Sequence, residues 1–412
     1  MNEILLLGRG KSNNALKEFM LKYEILFDYL ELDEVSRFDY KLVIKGPGIY
    51  YQNEVVKKFL LLGVEVICDI EFIYWFLNRE YIGITGTNGK TTTTLLLTEM
   101  IKKKYSAIAC GNCGFPISQA ALDYKLFRYF VLELSSFQLK GCKKFTPKIA
   151  IITNIKQAHL DYHENIQDYY ETKYQITKNQ SKSDYLILNS DCENTMSLFK
   201  NSHATKLTYS LDNKLCDAYI YKNNLYFKKE KICNVKSMTL TFKYNILASV
   251  CAAKLLDIPN NLIKKSIKEF EGVKYRLQEI KKDIYNDAKS TNIYSTIEAL
   301  KELKNNIFLI CGGYDRKEEL IGLDNYIEGI KCVYVYGMTK DKVCNYFKKK
   351  GITVYSFDVL KDAILSALNN RNDEKILYSP MFASYDQYKS FEERGKEFSS
   401  IVLKYYNNSK KI

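Results

Sequence analysis

The chain has 412 residues, of which 46% are hydrophobic and 26% are charged, a composition typical of two or three globular domains. Its 14% of aromatic residues exclude an intrinsically disordered chain. The net charge is +13, but no dense basic block marks a nucleic-acid surface, and no run of about 18 apolar residues marks a membrane span. Eleven cysteines, an odd number, indicate reduced thiols in a cytoplasmic protein.

Short apolar strands alternate with amphipathic helices along most of the chain, which is the pattern of parallel sheets with crossover helices. The first strands are predicted at EILLLG, KLVIKGPG and VEVIC, with a helix over residues 14–22. A second block has predicted strands at YIGITG, SAIAC, YFVLEL, KIAIIT and DYLILN. Antiparallel pieces follow over residues 206–235, with a hairpin turn at Asn223–Asn224, and then a helix over residues 245–256.

A third block alternates in the same way, with predicted strands at IFLICGG, CVYVYG and EKILYS. The sequence therefore predicts an α/β protein of three domains, with boundaries at residues 1–78, 79–272 and 273–412. We expect Rossmann-like domains at both ends and a central domain with a mainly parallel sheet.

The strongest local signal is ITGTNGKTTTT, between a predicted strand and a predicted helix over residues 91–104. Glycines allow several backbone N–H groups to point at one anion, and the N-terminus of the helix adds its positive end. Lys90 is placed to contact the outer phosphates, and the Thr91 hydroxyl to ligate Mg²⁺. Ile84 stands where the longer P-loop pattern has glycine, so the motif is the shorter form from Gly86 to Thr91. The sequence predicts a nucleoside triphosphate site in the central domain.

Further polar residues suit such a site. Glu133 follows a strongly apolar strand and is a candidate second Mg²⁺ ligand. His159 and His163 occur in HLDYH without the glutamate of a zinc HExxH motif, which favours a magnesium or phosphate contact by one of them and leaves a structural role open. GRGKSN near the N-terminus half matches a dinucleotide fingerprint, so it is either a diphosphate seat or an ordinary tight turn.

The combined motifs TGTNGKTT, GNCGFP, ELSSFQL, NIKQAHLDYH and YYETKYQI resemble the central domain of the Mur ligases, which build the peptide of peptidoglycan. FEGVKYRLQE, YNDAKSTN and SPMFASYDQYKSFEERGKEF resemble the members of that family that add D-glutamate. The resemblance extends from Gly8 to Phe398. It implies an ATP-dependent ligase that adds D-glutamate to UDP-N-acetylmuramoyl-L-alanine through an acyl phosphate. The three domains would bind the uridine-linked substrate, ATP and the amino acid, in chain order.

The resemblance also implies residue roles. The implied catalytic residues are Lys90, Glu133, His159 and Lys173. The implied ligands of two Mg²⁺ ions are Thr91, Glu133, His159 and Lys173, the last as a carbamate. The residues implied to bind ATP are Thr87, Asn88, Gly89, Lys90, Thr91, Thr92, Thr93, Asn245, Arg276 and Asp287. The residues implied to bind the two other substrates are Asn112, Lys289, Thr291, Arg316, Ser384, Tyr385 and Phe391. Without the resemblance, Lys173 is interpreted as a solvated lysine on a helix.

Departures from the family pattern affect the adenine and glutamate contacts but leave the phosphate motif intact. The usual GxHN is replaced by the residues from Thr239 to Phe242, and DHLD becomes AHLD with Ala158. Tyr275 replaces the histidine of an HR pair, Tyr385 stands where leucine is usual, and Arg316 stands where some members have lysine.

Other functions remain open at this level. Another amide ligase of the same superfamily, such as a folylpolyglutamate synthase, would share the ATP site. A nucleic-acid translocase would suit the positive charge but requires helicase motifs that the sequence lacks, and retention of Lys90, Glu133, His159 and Lys173 argues against a non-catalytic binding protein. We expect a cytoplasmic monomer that binds neither nucleic acid nor membrane.

Overall fold

A computed structural model describes residues 2–156, 162–315 and 320–408, except the side chains of Ile321 and Asn408. Backbone contacts divide the chain into two compact units, Met1–Phe270 and Glu271–Ile412. Within the described residues, the first unit contains two β-sheets and the second contains one. No helix of this described part is both long and apolar enough to cross a bilayer.

The first sheet of the first unit is parallel throughout, with strand order β2-β1-β3-β4. Its strands are β1 (Ile4–Leu7), β2 (Asp28–Leu30), β3 (Leu42–Lys45) and β4 (Glu65–Ile67). The sequence predicted all of these except β2, whose three residues are only partly buried and carry little hydrophobic signal.

The second sheet has the order β13-β12-β11-β10-β9-β8-β5-β7-β6. Its strands are β5 (Glu80–Thr85), β6 (Ala107–Gly111), β7 (Tyr129–Glu133), β8 (Ile149–Ile152), β9 (Tyr185–Asn189), β10 (Thr205–Ser210), β11 (Ala218–Tyr221), β12 (Asn224–Phe227) and β13 (Glu230–Asn234). Strands from β6 across to β11 pair in parallel, and β12 and β13 continue antiparallel. The central strands β7 and β8 are buried along their whole length, as expected for parallel strands covered on both faces.

The helices of the first unit connect these strands. They are α1 (Lys11–Lys22), α2 (Glu54–Leu61), α3 (Asp69–Phe76), α4 (Lys90–Lys102), α5 (Ile117–Leu122), α6 (Ser136–Leu139), α7 (Ile166–Tyr174), α8 (Glu193–Leu198), α9 (Leu240–Leu255) and α10 (Asn260–Glu269).

The structure corrects three local predictions in this unit. The hairpin turn lies at Lys222–Asn223, both at positive φ, because Asn224 already pairs with Tyr221 as the first residue of β12. Strand β10 is parallel to both of its neighbours rather than antiparallel. Helix α9 begins five residues earlier than predicted, because the Thr239 hydroxyl caps it by accepting a hydrogen bond from the backbone N–H of Phe242.

The two sheets of the first unit share one hydrophobic core. Leu6 and Ile44 of the first sheet belong to the same buried cluster as Ala150 and Ile152 of the second. The expected boundary at residue 78 therefore separates two sheets within one compact unit, and the division of function between them stays a prediction.

A buried carboxylate reinforces this core. Glu71 on α3 accepts backbone hydrogen bonds from Lys143, Lys144 and Phe145, at 2.7 to 2.9 Å, and one from the indole of Trp75 at 2.8 Å. Lys143, Lys144 and Phe145 precede β8. The Glu71 side chain therefore connects the helix that follows the first sheet to the loop that enters the second.

The second unit is a single sheet with the order β14-β15-β19-β16-β17-β18, in which only β14 is antiparallel to its neighbour. Its elements are β14 (Gln278–Lys281), β15 (Ile284–Asn286), α11 (Ile293–Leu303), β16 (Ile307–Gly312), β17 (Ile330–Tyr336), α12 (Lys340–Lys349), β18 (Thr353–Phe357), α13 (Leu360–Asn370), β19 (Lys375–Met381) and α14 (Phe391–Asn408). The predicted α/β class, with mainly parallel sheets, is confirmed. The β14–β15 hairpin and β18 were not predicted.

We predict that Glu71→Ala lowers the free energy of unfolding of the first unit by about 3 kcal/mol. The change leaves three backbone N–H donors and one indole N–H without their acceptor. Urea unfolding, monitored by the fluorescence of Trp75, measures this free energy in the first unit, because Trp75 is the single tryptophan of the chain.

The matched control is Glu65→Ala. Its carboxylate pairs with Lys143 at 3.3 Å, but the two side chains are 42% and 47% exposed, so the expected cost is below about 1 kcal/mol. Equal losses in the two variants would contradict the role assigned to Glu71.

Candidate active site

The loop between β5 and α4 has the backbone shape of a phosphate cradle. Gly86 and Gly89 have φ values of +142° and +83°, a region that side chains rarely tolerate. A Cβ at Gly86 would lie 2.0 Å from the Thr153 hydroxyl, and one at Gly89 would lie 2.6 Å from the amide oxygen of Asn245. Gly89 is also the N-cap of α4, so the cap residue has no side chain of its own at the positive end of this helix. The loop is built to bring backbone N–H groups close to an anion.

Residues after β8 hold this loop in place. Asn154 accepts hydrogen bonds from the backbone N–H of Thr87 at 2.9 Å, through its carbonyl oxygen, and of Asn88 at 3.0 Å, through its side chain. The Thr153 hydroxyl and the Asn154 amide both donate to the Asn88 carbonyl, at 2.6 and 3.1 Å. The sequence analysis predicted neither Thr153 nor Asn154 as a site residue, although both follow a fully apolar strand. The loop is therefore preorganised by its neighbour in the sheet.

Two lysine amines converge on this loop. Lys90 Nζ donates to the carbonyl oxygens of Gly86 and Thr87 at 2.8 and 2.9 Å. Lys173 Nζ donates to the Thr85 hydroxyl at 2.9 Å and to the same Gly86 oxygen at 3.2 Å. Both amines thus hydrogen-bond to one carbonyl oxygen beneath the phosphate cradle.

Lys173 is 2% exposed, which contradicts its interpretation as a solvated lysine. Burial holds the pKa of Lys173 well below its usual value, the positive charge of Lys90 lowers the pKa further, and Glu133 opposes the shift. Burial and the charge of Lys90 thus both favour the neutral amine of Lys173 over the ammonium.

Glu133 and Asn112 form a unit at the carboxyl end of β7. Glu133 is 3% exposed, and its Oε1 accepts a hydrogen bond from the Asn112 amide at 2.7 Å. The backbone N–H of Asn112 also donates to the Glu133 carbonyl at 2.8 Å. A buried carboxylate beside a threonine-rich helix start supplies the oxygen ligands that Mg²⁺ prefers, so Glu133 and Thr91 fit a magnesium site.

Helix α7 carries a second contact to the cradle besides Lys173. The Tyr169 hydroxyl is hydrogen-bonded to the Thr87 hydroxyl at 3.0 Å, and Thr87 also donates to the Lys156 carbonyl at 3.0 Å. Tyr169 is 1% exposed and was not predicted, because only tertiary packing brings it to the loop.

The remaining residues of the first unit that were predicted to contact the nucleotide lie on α4 or next to its start. Thr91 and Thr92 are half-buried. Thr93 is buried, and its hydroxyl donates to the Asn245 amide oxygen at 3.3 Å. Asn245 on α9 therefore lies beside Gly89 at the start of α4.

Two predicted residues, His159 and Arg316, lie outside the described residues. His163, the other histidine of HLDYH, is described and hydrogen-bonds to Ser136 and Asp168, so it has the structural role that the sequence left open. Within the described ranges no group of three His, Cys, Asp or Glu side chains forms a metal cluster.

In the second unit, the described predicted residues lie before β14, after β15, after β19 and at the start of α14. Asp287 is 1% exposed and accepts hydrogen bonds from Ser290 at 2.5 Å and Ser379 at 2.8 Å, and its burial raises its pKa. Arg276 also donates to Ser290, at 3.2 Å. The Lys289 ammonium lies 5.7 Å from the centre of the Phe391 ring.

Ser384 is buried, Tyr385 is exposed and Thr291 is half-buried. Arg394 links their loops: its guanidinium donates to the carbonyls of Ala288, Phe382 and Ala383 at 2.8 to 3.2 Å. Arg394 is fully buried and was not predicted as a site residue.

Comparisons with known proteins identify the family of this chain. Residues 84–253 match the Mur ligase middle domain. The UDP-N-acetylmuramoylalanine–D-glutamate ligase of Oenococcus oeni is 36% identical over 97% of this chain and 96% of its own length, and that of Macrococcus caseolyticus is 39% identical over 88% and 83%. The crystal structure of MurF ligase from Thermotoga maritima matches with a TM-score of 0.64 at 16% identity, over 98% of this chain and 96% of its own, and supports the fold alone. The chain belongs to the UDP-N-acetylmuramoylalanine–D-glutamate ligase family of the Mur ligases.

Proposed function

We propose that this chain is an ATP-dependent ligase that joins D-glutamate to UDP-N-acetylmuramoyl-L-alanine in peptidoglycan synthesis. The observation that carries the proposal is the convergence of Lys90 and Lys173 on the Gly86 carbonyl, in a chain whose relatives of that name match over most of its length. A Mur ligase of the same fold is named as a complex with ADP, in keeping with a nucleotide in this cradle.

The cradle would hold the phosphates of ATP. Lys90 Nζ is directed at the loop carbonyls of Gly86 and Thr87, so a modest rotation of its chain exchanges these acceptors for phosphate oxygens. The residues assigned to the phosphates are Thr87, Asn88, Gly89, Lys90, Thr91, Thr92 and Thr93. Asn245, Arg276 and Asp287 are assigned to the adenine, a phosphate and the ribose of ATP.

The reaction needs positive charge where anions meet. The alanine carboxylate attacks the γ-phosphorus, the bond to the ADP oxygen breaks, and an acyl phosphate forms. Lys90 lowers the repulsion between these anions. The glutamate amine then attacks the acyl carbon, loses a proton and expels phosphate, which completes the amide. Two Mg²⁺ ions, held by Thr91, Glu133, His159 and a carbamylated Lys173, supply further charge neutralisation when bound.

Carbamylation of Lys173 accounts for an otherwise unfavourable pair of cations. The neutral amine attacks CO₂, an N–C bond forms, and one proton leaves, so that a carboxylate replaces a potential ammonium. A buried negative charge next to Lys90 is favourable where a second positive charge is not. This argument supports a carbamate at Lys173 because the described hydrogen-bond partners of its amine, the Thr85 hydroxyl and the Gly86 carbonyl, carry no negative charge. The charge of Glu133 opposes the lowering of its pKa without reversing it.

Further residues are assigned to the other two substrates. Asn112, bound to Glu133, is assigned to the uridine-linked substrate. The residues assigned to D-glutamate are Lys289, Thr291, Arg316, Ser384, Tyr385 and Phe391. We further propose that the three predicted domains divide these tasks and that the protein acts as a cytoplasmic monomer.

Purified protein should release ADP only when Mg²⁺-ATP, the uridine-linked muramoyl-L-alanine acceptor and D-glutamate are all present, and mass spectrometry should detect the acceptor extended by one glutamate. L-Glutamate and a folate acceptor serve as controls. Release of ADP with folate and L-glutamate, but not with the first pair, would replace the proposal with a folylpolyglutamate synthase.

Lys90→Ala should lower kcat by about 100-fold or more, because the cation closest to the transferred phosphate is lost. Coupled measurement of ADP release tests this. Lys102→Ala is the matched control on the same helix, since Lys102 pairs with Glu99 at the surface, and it should stay within about twofold of the unmodified protein.

Lys173→Ala should lose most ligase activity and regain part of it with added formate or acetate, which restore a carboxylate in the space of the carbamate. Carbon-13 NMR with labelled bicarbonate should show a carbamate signal in the unmodified protein and none in the variant. Lys178→Ala, at an exposed position just beyond, is the control. Full activity of Lys173→Ala without added carboxylate would exclude the carbamate.

A further inference from the structure

A buried chain of hydrogen bonds joins α6 to α7. His163 Nε2 lies 3.0 Å from the Ser136 hydroxyl on α6, and His163 Nδ1 lies 3.0 Å from Asp168 Oδ2 on α7. Lys140, just after α6, donates to both oxygens of Asp168 at 2.7 and 2.9 Å. The network thus connects α6, which follows β7 and Glu133, to α7, which carries Lys173.

The sequence of a hydroxyl, an imidazole and a carboxylate has the form of a hydrolase triad, but the surroundings exclude that role. Ser136 and His163 are each only 3% exposed, and the rings of Phe137, Tyr162 and Tyr169 lie around the imidazole. An acyl substrate has no approach to the Ser136 oxygen. The network therefore has a structural role within the protein and no role in acyl transfer.

The hydrogen-bond pattern assigns the imidazole a fixed orientation. A carboxylate accepts only, so Nδ1–H donates to Asp168 and Nε2 accepts the Ser136 proton. Burial lowers the pKa of His163 from its usual value, Asp168 opposes this shift, and the charge of Lys140 acts in the same direction as burial. Each ring nitrogen thus makes one directional bond, one to each helix.

The position of α7 matters because this helix supplies two side chains to the phosphate cradle. Asp168 lies in its first turn, Tyr169 reaches the Thr87 hydroxyl, and Lys173 in the last turn reaches Gly86. A nine-residue helix is rigid on this scale. A displacement of its first turn therefore moves Lys173 relative to Glu133, whose strand leads into α6.

We infer that His163 is a positioning residue for the ligation reaction: its two hydrogen bonds hold α7 against α6 so that Lys173 and Tyr169 reach the phosphate loop. This inference rests on the proposed function, because it assigns His163 an effect on the ligase through Lys173. It gives a role to a histidine that the sequence motif places four residues after the assigned His159.

His163→Phe keeps a ring of similar size and removes both hydrogen bonds. We expect kcat to fall about 10- to 100-fold, as displacements of about 1 Å do, while KM for ATP stays within about threefold because Lys90 and the loop are unchanged. The bicarbonate concentration for half-maximal activity should rise, since Lys173 is displaced. A change in stability alone would reduce the amount of active enzyme without moving that midpoint.

Two smaller changes divide the network. Ser136→Ala removes one hydrogen bond, and His163→Asn keeps a donor near Asp168 but does not reach Ser136. Their effects on kcat should not add in the double variant, because both break the same bond. His203→Phe, at an exposed histidine, is the control and should match the unmodified protein.

An independent readout is hydrogen exchange of the peptide covering residues 166–174, which should be faster in His163→Phe than in His203→Phe. Unchanged exchange, or a folded His163→Phe with unchanged kcat and bicarbonate midpoint, would overturn the inference. If the unmodified protein makes no glutamyl product, the proposed function fails by itself, and the exchange measurement still decides whether His163 holds α7.

Discussion

Two lysine amines that share one carbonyl oxygen are the central constraint on this site. Lys90 and Lys173 both donate to Gly86 O, and Lys173 is enclosed by protein. Two positive charges at this buried position are unfavourable, since like charges repel strongly where water is excluded. Burial and the neighbouring charge of Lys90 both lower the pKa of the Lys173 amine. The packing of α7, which buries this amine, therefore sets the electrostatics beneath the phosphate cradle.

The sheet order explains why these groups meet at all. Strand β5 lies between β8 and β7, so the phosphate loop after β5 has Asn154 on one side and Glu133 on the other. Carboxyl ends of parallel strands share one edge, and open α/β sheets bind ligands there. The loop, its support and the acidic ligand are therefore consequences of one topology. None of the three requires a long or irregular connection to reach the others.

The sequence could predict the parts of the site whose signal is local. Glycines, a lysine and a threonine between a strand and a helix identify the cradle, and an apolar strand before Glu133 identifies a carboxylate at its end. Lys173 and Tyr169 have no local signal, because their burial depends on how α7 packs. Lys173 was assigned only through its resemblance to a family motif. Similarly, the hairpin turn was predicted at the pair Asn223–Asn224, but it lies one residue earlier, because Lys222 adopts positive φ.

Residues to which the sequence analysis gave no role hold backbone loops in both units. Asn154 binds the backbone of the phosphate loop, and Glu71 binds three backbone N–H groups before β8. Arg394 binds three carbonyls in the loops that carry Lys289 and Ser384. Each uses a buried side chain to satisfy backbone groups that a loop cannot pair by itself. The precision of the reacting groups is thus set by polar side chains that contact backbone rather than substrate, and His163 extends this arrangement from loops to a helix.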